Sequence, residues 1–129
     1  MEQTYYLIDS NVVIDYLASR LPSSGNTFIR GIINDLPIVS VITKIEVLCY
    51  TAPPKVQVQL NDFFNDATVI DLSADVVNES IEIKRQHKIK LPDGIIAATA
   101  LVNSFTLITR NTNDFKNIQG LKIINPWEL

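Results

Sequence analysis

The sequence predicts an α/β protein: a central, mostly parallel sheet of about five strands with helices on both faces. Short β-prone runs alternate with longer stretches of helical periodicity along the chain, an order that favours parallel pairing. Prolines, glycines and capping residues fall where the period changes. The 129 residues, 47% of them hydrophobic, suit one domain over positions 1–129 with one core.

The first strand is Thr4–Asp9, where Tyr5, Leu7 and Ile8 supply the β-prone bulk. Asn11–Arg20 then turns helical through Val12, Val13, Ile14 and Leu17. Pro22-Ser23-Ser24-Gly25 has the composition of a loop, and Asn26–Asp35 resumes a helical pattern through Phe28, Ile29, Ile32 and Ile33. Ile38–Ile42 is a second, buried strand. Thr43–Tyr50 follows as a helix through Ile45, Val47, Leu48 and Cys49. Pro53-Pro54 ends it, and Pro54 fits the first turn of another helix reaching about Asn65.

Ala67–Leu72 is the third strand, and Ser73 is a good N-cap for a long helix over Ala74–Lys88. Ala74, Val77 and Ile81 form its apolar face, opposite Glu79, Glu82, Lys84, Arg85 and Lys88. Leu91-Pro92 leads into a helix over Asp93–Asn103 that is apolar nearly all round, and so buried. Phe105–Thr109 and Leu121–Ile124 complete the strands, the last ending at Pro126. Linkers, internal repeats and low-complexity segments are absent.

Composition removes several function classes. No apolar run approaches the roughly 20 residues of a membrane span, and no basic-then-apolar leader suggests a signal peptide. The single cysteine, Cys49, allows no internal disulfide. Its apolar helical context predicts a small buried hydrophobe, and a reducing cytoplasm suits the chain. Eleven Lys and Arg against fourteen Asp and Glu leave a net charge of −3. That argues against tight non-specific coating of nucleic acid and suits a basic partner segment.

Four acids stand at element junctions: Asp9 ends strand one, Glu46 lies one turn into the helix after strand two, Asp93 opens the buried helix, and Asp114 follows strand four. In an open parallel sheet, ligands bind outside the carboxyl ends of the strands. Asp9, Glu46 and Asp114 point to that edge, and Asp93 joins them if its helix begins there. Two such charges about 4 Å apart repel by roughly 4 kcal/mol at an effective dielectric near 20. Without a cation at least one carboxylate would hold a proton. Oxygen ligands without His or Cys favour Mg²⁺ or Mn²⁺ over Zn²⁺, and such an ion can activate water against a phosphodiester.

Each acid also has a plain structural role open to it. Asp9 can cap the first helix, Thr43-x-x-Glu46 matches a capping box, Asp93 suits a helix dipole, and Asp114 can cap a turn. His87, the only histidine, sits near a helix C-terminus and reads as solvent-exposed. A zinc site or a Ser-His-Asp triad therefore has little support, and no Gly-rich phosphate loop is present. Lys84, Arg85, Lys88 and Lys90 read as a solvated face. Lys44 and Arg110 are better placed to contact phosphate.

Four segments together resemble the PIN-domain nucleases, and among them the VapC-type toxins of bacterial toxin–antitoxin pairs. They are LIDSNVVIDYL from Leu7, SVITKIEVL from Ser40, LPDGIIAATAL from Leu91 and LITRNTNDF from Leu107, and the likeness covers essentially the whole chain. The resemblance implies that Asp9, Glu46, Asp93 and Asp114 bind Mg²⁺ or Mn²⁺ and position the attacking water. It implies that Asn11, Thr109 and Asn111 support them by hydrogen bonds. It further implies an RNA substrate, a homodimer, and a small antitoxin whose basic side chain enters the acidic pocket. A haloacid-dehalogenase-like phosphatase would need D-x-D where Asp9-Ser10-Asn11 stands, and a receiver domain would need an acidic pair after strand one. The remaining rival is a non-catalytic PIN module that binds RNA or protein.

Overall fold

Five short strands lie side by side: β1 (Tyr6–Ile8), β2 (Ile38–Ser40), β3 (Thr68–Ile70), β4 (Thr106–Ile108) and β5 (Ile123–Ile124). The computed structural model describes residues 3–129. The strand order is β3-β2-β1-β4-β5, and every ladder is parallel. The chain lays β2 and β3 to one side of β1, then returns to place β4 and β5 on the other. The direction of winding reverses between β1 and β4, which opens a crevice beyond their carboxyl ends. Ile8 pairs with Ile108 as the last register pair, so Asp9 and Thr109 leave the sheet side by side.

Seven helices cover the sheet among the described residues: α1 (Ser10–Leu17), α2 (Ser23–Asp35), α3 (Val41–Leu48), α4 (Pro54–Asp66), α5 (Ala74–Gln86), α6 (Leu91–Asn103) and α7 (Thr112–Phe115). A 3₁₀ turn, Pro126–Glu128, follows β5. Period-2 alternation divides the strand side chains between two cores. Leu7, Ile38 and Leu107 pack with Val76, Ile83 and Ile96 on one face, and Ile8, Val39 and Ile108 with Val12, Val47 and Phe63 on the other. Each fully buried Leu or Ile contributes about 1.5–3 kcal/mol. Truncating one at the centre, such as Ile108→Ala, would cost about 2–5 kcal/mol.

The expected α/β architecture is present, with local corrections. Helix α2 begins at Ser23, not after a Pro-Ser-Ser-Gly loop: Pro22 is its N-cap, and the Asn26 amide closes the first turn on the Pro22 carbonyl at 2.8 Å. Gly25 is buried there because the C-terminal turn lies against it. A Cβ at Gly25 would sit 2.0 Å from the Pro126 carbonyl oxygen. Strand β2 stops at Ser40, whose hydroxyl caps α3 by accepting the Ile42 amide at 3.1 Å. The Thr43-x-x-Glu46 text is therefore not a capping box. Thr43 lies inside the helix, fully buried, and its hydroxyl has no hydrogen-bond partner among the described residues.

Helix α5 is rotated from the expected face. Val76, Ser80 and Ile83 are buried, whereas Val77 and Ile81 are 38% and 44% exposed. Burying Ser80 is tolerable because its hydroxyl donates to the Val76 carbonyl at 2.7 Å. Cys49 is exposed at the end of α3 rather than buried, since the helix stops there and its core-facing positions are Thr43 and Val47. His87 is the C-cap of α5, as its sequence position suggests, but it is half-buried rather than open to solvent.

Candidate active site

Asp9 lies at the switch point and is 4% exposed. It is the N-cap of α1, and its carboxylate accepts the first amide of that helix as well as side-chain donors of the site. Oδ1 accepts the Ser10 amide at 2.8 Å. Oδ2 accepts the Thr109 hydroxyl at 2.7 Å and the Asn11 side-chain amide at 3.4 Å. These donors favour the ionised form, but burial outweighs them and lifts the pKa, with Glu46 adding to the rise.

The end of β4 connects Asp9 to Asp114. The Thr109 hydroxyl, fully buried, donates to Asp9 and accepts the Asn111 amide at 3.0 Å. The Asn111 side chain then donates to Asp114 Oδ2 at 2.6 Å. A second link joins α1 to α3, where the Ser10 hydroxyl donates to Glu46 Oε1 at 2.9 Å. Asn11 bridges β1 and β4, since its Oδ1 accepts the Arg110 amide at 3.3 Å while its Nδ2 reaches Asp9. Asn11, Thr109 and Asn111 thus each hydrogen-bond an acid.

Asp93 occupies the first turn of α6, with Pro92 at the helix start. Burial raises its carboxyl from 3.8 to about 6, and the charges of Asp9, Asp114 and Glu46 add to the rise, against a smaller opposing effect of Lys90. Four acids from four separate elements therefore share one electrostatic neighbourhood. Among the described residues no three His, Cys, Asp or Glu side chains converge tightly enough to cage an ion as they stand. Like charges at this density repel towards solvent, and Glu46 and Asp114 are the exposed pair. The donor chemistry, four carboxylates with neither imidazole nor thiolate, fits a hard divalent cation, which would offset the crowded negative charge that adds to the rise at Asp93.

The basic residues divide. Arg110 is exposed, and its guanidinium lies 4.8 Å from the centroid of the Trp127 ring. Lys44 is two residues before Glu46 on α3, roughly 200° around the helix from it, and it forms no side-chain hydrogen bond or ion pair among the described residues. Lys84 donates to the Ile89 carbonyl. Lys90, read from sequence as part of a solvated face, is exposed but acts on Asp93. Sequence reasoning missed Ser10 and Trp127. Ser10 directly follows the first acid at a helix start, which is a usable signal. Trp127 carries none, because its contact depends on where the C-terminal turn docks.

An all-parallel sheet of this order, with carboxylates gathered at its switch point, places the molecule among α/β proteins with an acidic crevice. The chain belongs to the PIN domain family, whose pattern matches residues 6–121. It is similar to a toxin–antitoxin complex chain from Klebsiella pneumoniae, with 29% identity and a TM-score of 0.78 over 96% of this chain and 99% of that one. VapBC2 from Rickettsia felis, solved bound to a DNA fragment from its promoter, shares the fold at 21% identity and a TM-score of 0.77, over 95% of this chain and 98% of that one. VapC ribonuclease Y4jK of Sinorhizobium fredii is 56% identical over 36 residues, which are 28% of this chain and 25% of that protein. The matched segments span between 25% and 31% of the curated relatives' own lengths.

Proposed function

We propose that this chain is a Mg²⁺- or Mn²⁺-dependent endoribonuclease, acting in the cytoplasm as the toxin of a toxin–antitoxin pair. The observation that carries the reading is the convergence of the Asp9, Asp114 and Glu46 charges on Asp93 at the switch point. Asp9, Glu46, Asp93 and Asp114 would hold the cation. When bound, it would supply Lewis-acid activation of water and neutralise charge on the scissile phosphate. Asp9, fixed by three donors, would set the orientation of the site. Thr109 and Asn111 link Asp9 to Asp114 through a chain of hydrogen bonds. Asp93, whose carboxyl is raised to about 6 chiefly by burial, would gain most from the cation, which favours its ionised form.

The partner half of the reading rests on the toxin–antitoxin complex with which this chain shares 29% identity. A groove lined by Ile14, Leu17, Val47, Tyr50, Val56 and Leu60 lies among α1, α3 and α4. The same α1 and α3 carry Ser10 and Glu46 into the site. A small antitoxin with apolar residues in this groove and a basic side chain over the acids would close the crevice. A second apolar groove, with Leu72, Val77, Ile81, Leu91 and Ile95 between α5 and α6, is the surface for the proposed homodimer.

The test is cleavage of labelled single-stranded and hairpin RNA by purified protein with Mg²⁺, with Mn²⁺ and with EDTA, beside Asp9→Asn and Asp93→Asn. Metal-dependent cutting by the wild type, lost in both variants, supports the nuclease. Equal cutting by both variants sinks the mechanism. RNA or antitoxin binding without cleavage under any metal would favour the non-catalytic PIN module instead.

A further inference from the structure

We propose that Trp127 is a positioning residue that holds the Arg110 guanidinium at the rim of the acidic crevice, where Arg110 binds a phosphate of the RNA strand. The assignment rests on the nuclease reading and names a substrate contact for it.

Arg110 stands between the two residues that organise the acids, Thr109 on Asp9 and Asn111 on Asp114. Its own amide donates to Asn11 Oδ1 at 3.3 Å, so its backbone is tied to the site. Among the described residues Arg110 forms no ion pair, and its charge is not among those acting on Asp9 or Asp93. Its guanidinium instead rests on the Trp127 ring at 4.8 Å. Stacking on an aromatic face leaves the in-plane N–H donors pointing outward, the arrangement that meets a phosphate bidentately. It also keeps the cation from occupying the acids that a metal would need.

The ring is a seated support rather than a passing contact. The Trp127 amide donates to Asn125 Oδ1 at 3.0 Å, and Pro126 beside it is buried. The indole packs against the core formed by Ile8, Val12 and Ile108. Gly25 on α2 lacks the Cβ that would strike the Pro126 carbonyl. The chain from Gly25 through Pro126 and Trp127 to Arg110 thus couples one helix to the rim of the crevice. A molecule of net charge −3 with an acidic site gains from a fixed cation where a polyanion must approach.

The experiment measures fluorescent single-stranded RNA binding to the uncleaving Asp9→Asn protein across a salt series, alongside KM and kcat in the otherwise wild-type background. Arg110→Ala is expected to weaken binding about tenfold, as for a lost charge-assisted hydrogen bond. It should also reduce the salt slope by about 0.7, the value for one phosphate on a single strand. Trp127→Leu should raise KM with little loss in kcat, and Trp127→Tyr should recover binding through its aromatic face. The double variant Arg110→Ala/Trp127→Leu should bind no worse than Arg110→Ala alone. Arg110 is exposed, so its variant tests the proposal even if Trp127→Leu folds poorly. Cleavage by the wild type with unchanged affinity and salt slope in Arg110→Ala overturns the assignment and leaves the nuclease intact. Arg110-dependent RNA binding by a wild type that never cleaves keeps the assignment and removes the nuclease. An additive double variant overturns the role of Trp127.

Discussion

Replacing Asp93 with asparagine is expected to stabilise the metal-free protein while removing its activity. Burial first, then Asp9, Asp114 and Glu46, lift the Asp93 carboxyl from 3.8 to about 6. Below about pH 4 it is protonated in the folded and unfolded chains alike and costs nothing. Between about pH 4 and 6 the unfolded chain releases its proton first, so stability falls as pH rises. Above about pH 6 the penalty is complete. Taken at face value, a rise from 3.8 to about 6 is worth about 3 kcal/mol. The side chain is only half-buried, and solvent screening reduces this to about 1–1.5 kcal/mol. That is a measurable share of the roughly 5–15 kcal/mol that holds a domain folded.

The assay is urea unfolding of wild type and Asp93→Asn in EDTA, at several pH values from about 4.5 to 7.5. The difference between the two proteins isolates Asp93. Asp9, also raised, chiefly by burial, leaves a residual slope in both. The variant should exceed the wild type by only a few tenths of a kcal/mol near pH 4.5 and by about 1 kcal/mol at neutral pH. Adding Mg²⁺ should then stabilise the wild type by RT ln(1 + [L]/Kd) and the variant far less. A variant equally or less stable at neutral pH, or a difference that shrinks as pH rises from about 4.5 to 7, would refute the charge-crowding argument.

Thr109→Val removes the 2.7 Å hydrogen bond to Asp9 at nearly constant volume. Calorimetric titration should show Mn²⁺ affinity lowered about 10–100-fold and largely restored in Thr109→Ser; an unaltered Val variant would take Thr109 out of the site. Gly25→Ala places a Cβ 2.0 Å from the Pro126 carbonyl oxygen. Thermal unfolding should register a loss of about 1–3 kcal/mol, and a neutral result would mean the C-terminal turn does not rest on α2. Ile81→Asp puts a charge in the α5–α6 groove. It should convert the proposed homodimer to a monomer in sedimentation equilibrium, and a mass equal to that of the wild type would take this groove out of the proposed contact.

The strands were legible because each is a short β-prone run bounded by punctuation, and parallel order follows from their alternation with helices. Helix rotation was harder to read. In α5, Ala74, Val77 and Ile81 compete with Val76, Ser80 and Ile83 for the core, and only docking against α6 selects the second set. Composition also misled at Pro22-Ser23-Ser24-Gly25, where a turn-rich tetrapeptide begins a helix and Gly25 leaves space for a distant carbonyl. The four acids were visible because they stand at element ends, which topology gathers regardless of side-chain detail. Ser10 to Glu46 and Arg110 to Trp127 are contacts between separate elements, and no local pattern encodes them.

The site is also uneven in a way that bears on how it works. Asp9 is buried and receives three donors, whereas Glu46 and Asp114 are exposed and receive one each. A carboxylate held from three sides has no alternative rotamer to adopt when a cation or phosphate arrives. The exposed pair can still swing inward at the cost of little more than rotamer entropy. The crevice is therefore a fixed post with adjustable arms rather than a rigid cage. Four converged carboxylates with nothing between them would destabilise the fold, while two that wait at the rim keep that cost low. Neutral replacement at Asp9 removes the post, and replacement at Glu46 removes only an arm. The fold thus places the most buried of the four acids, and three hydrogen bonds to it, at the one position where β1 and β4 part.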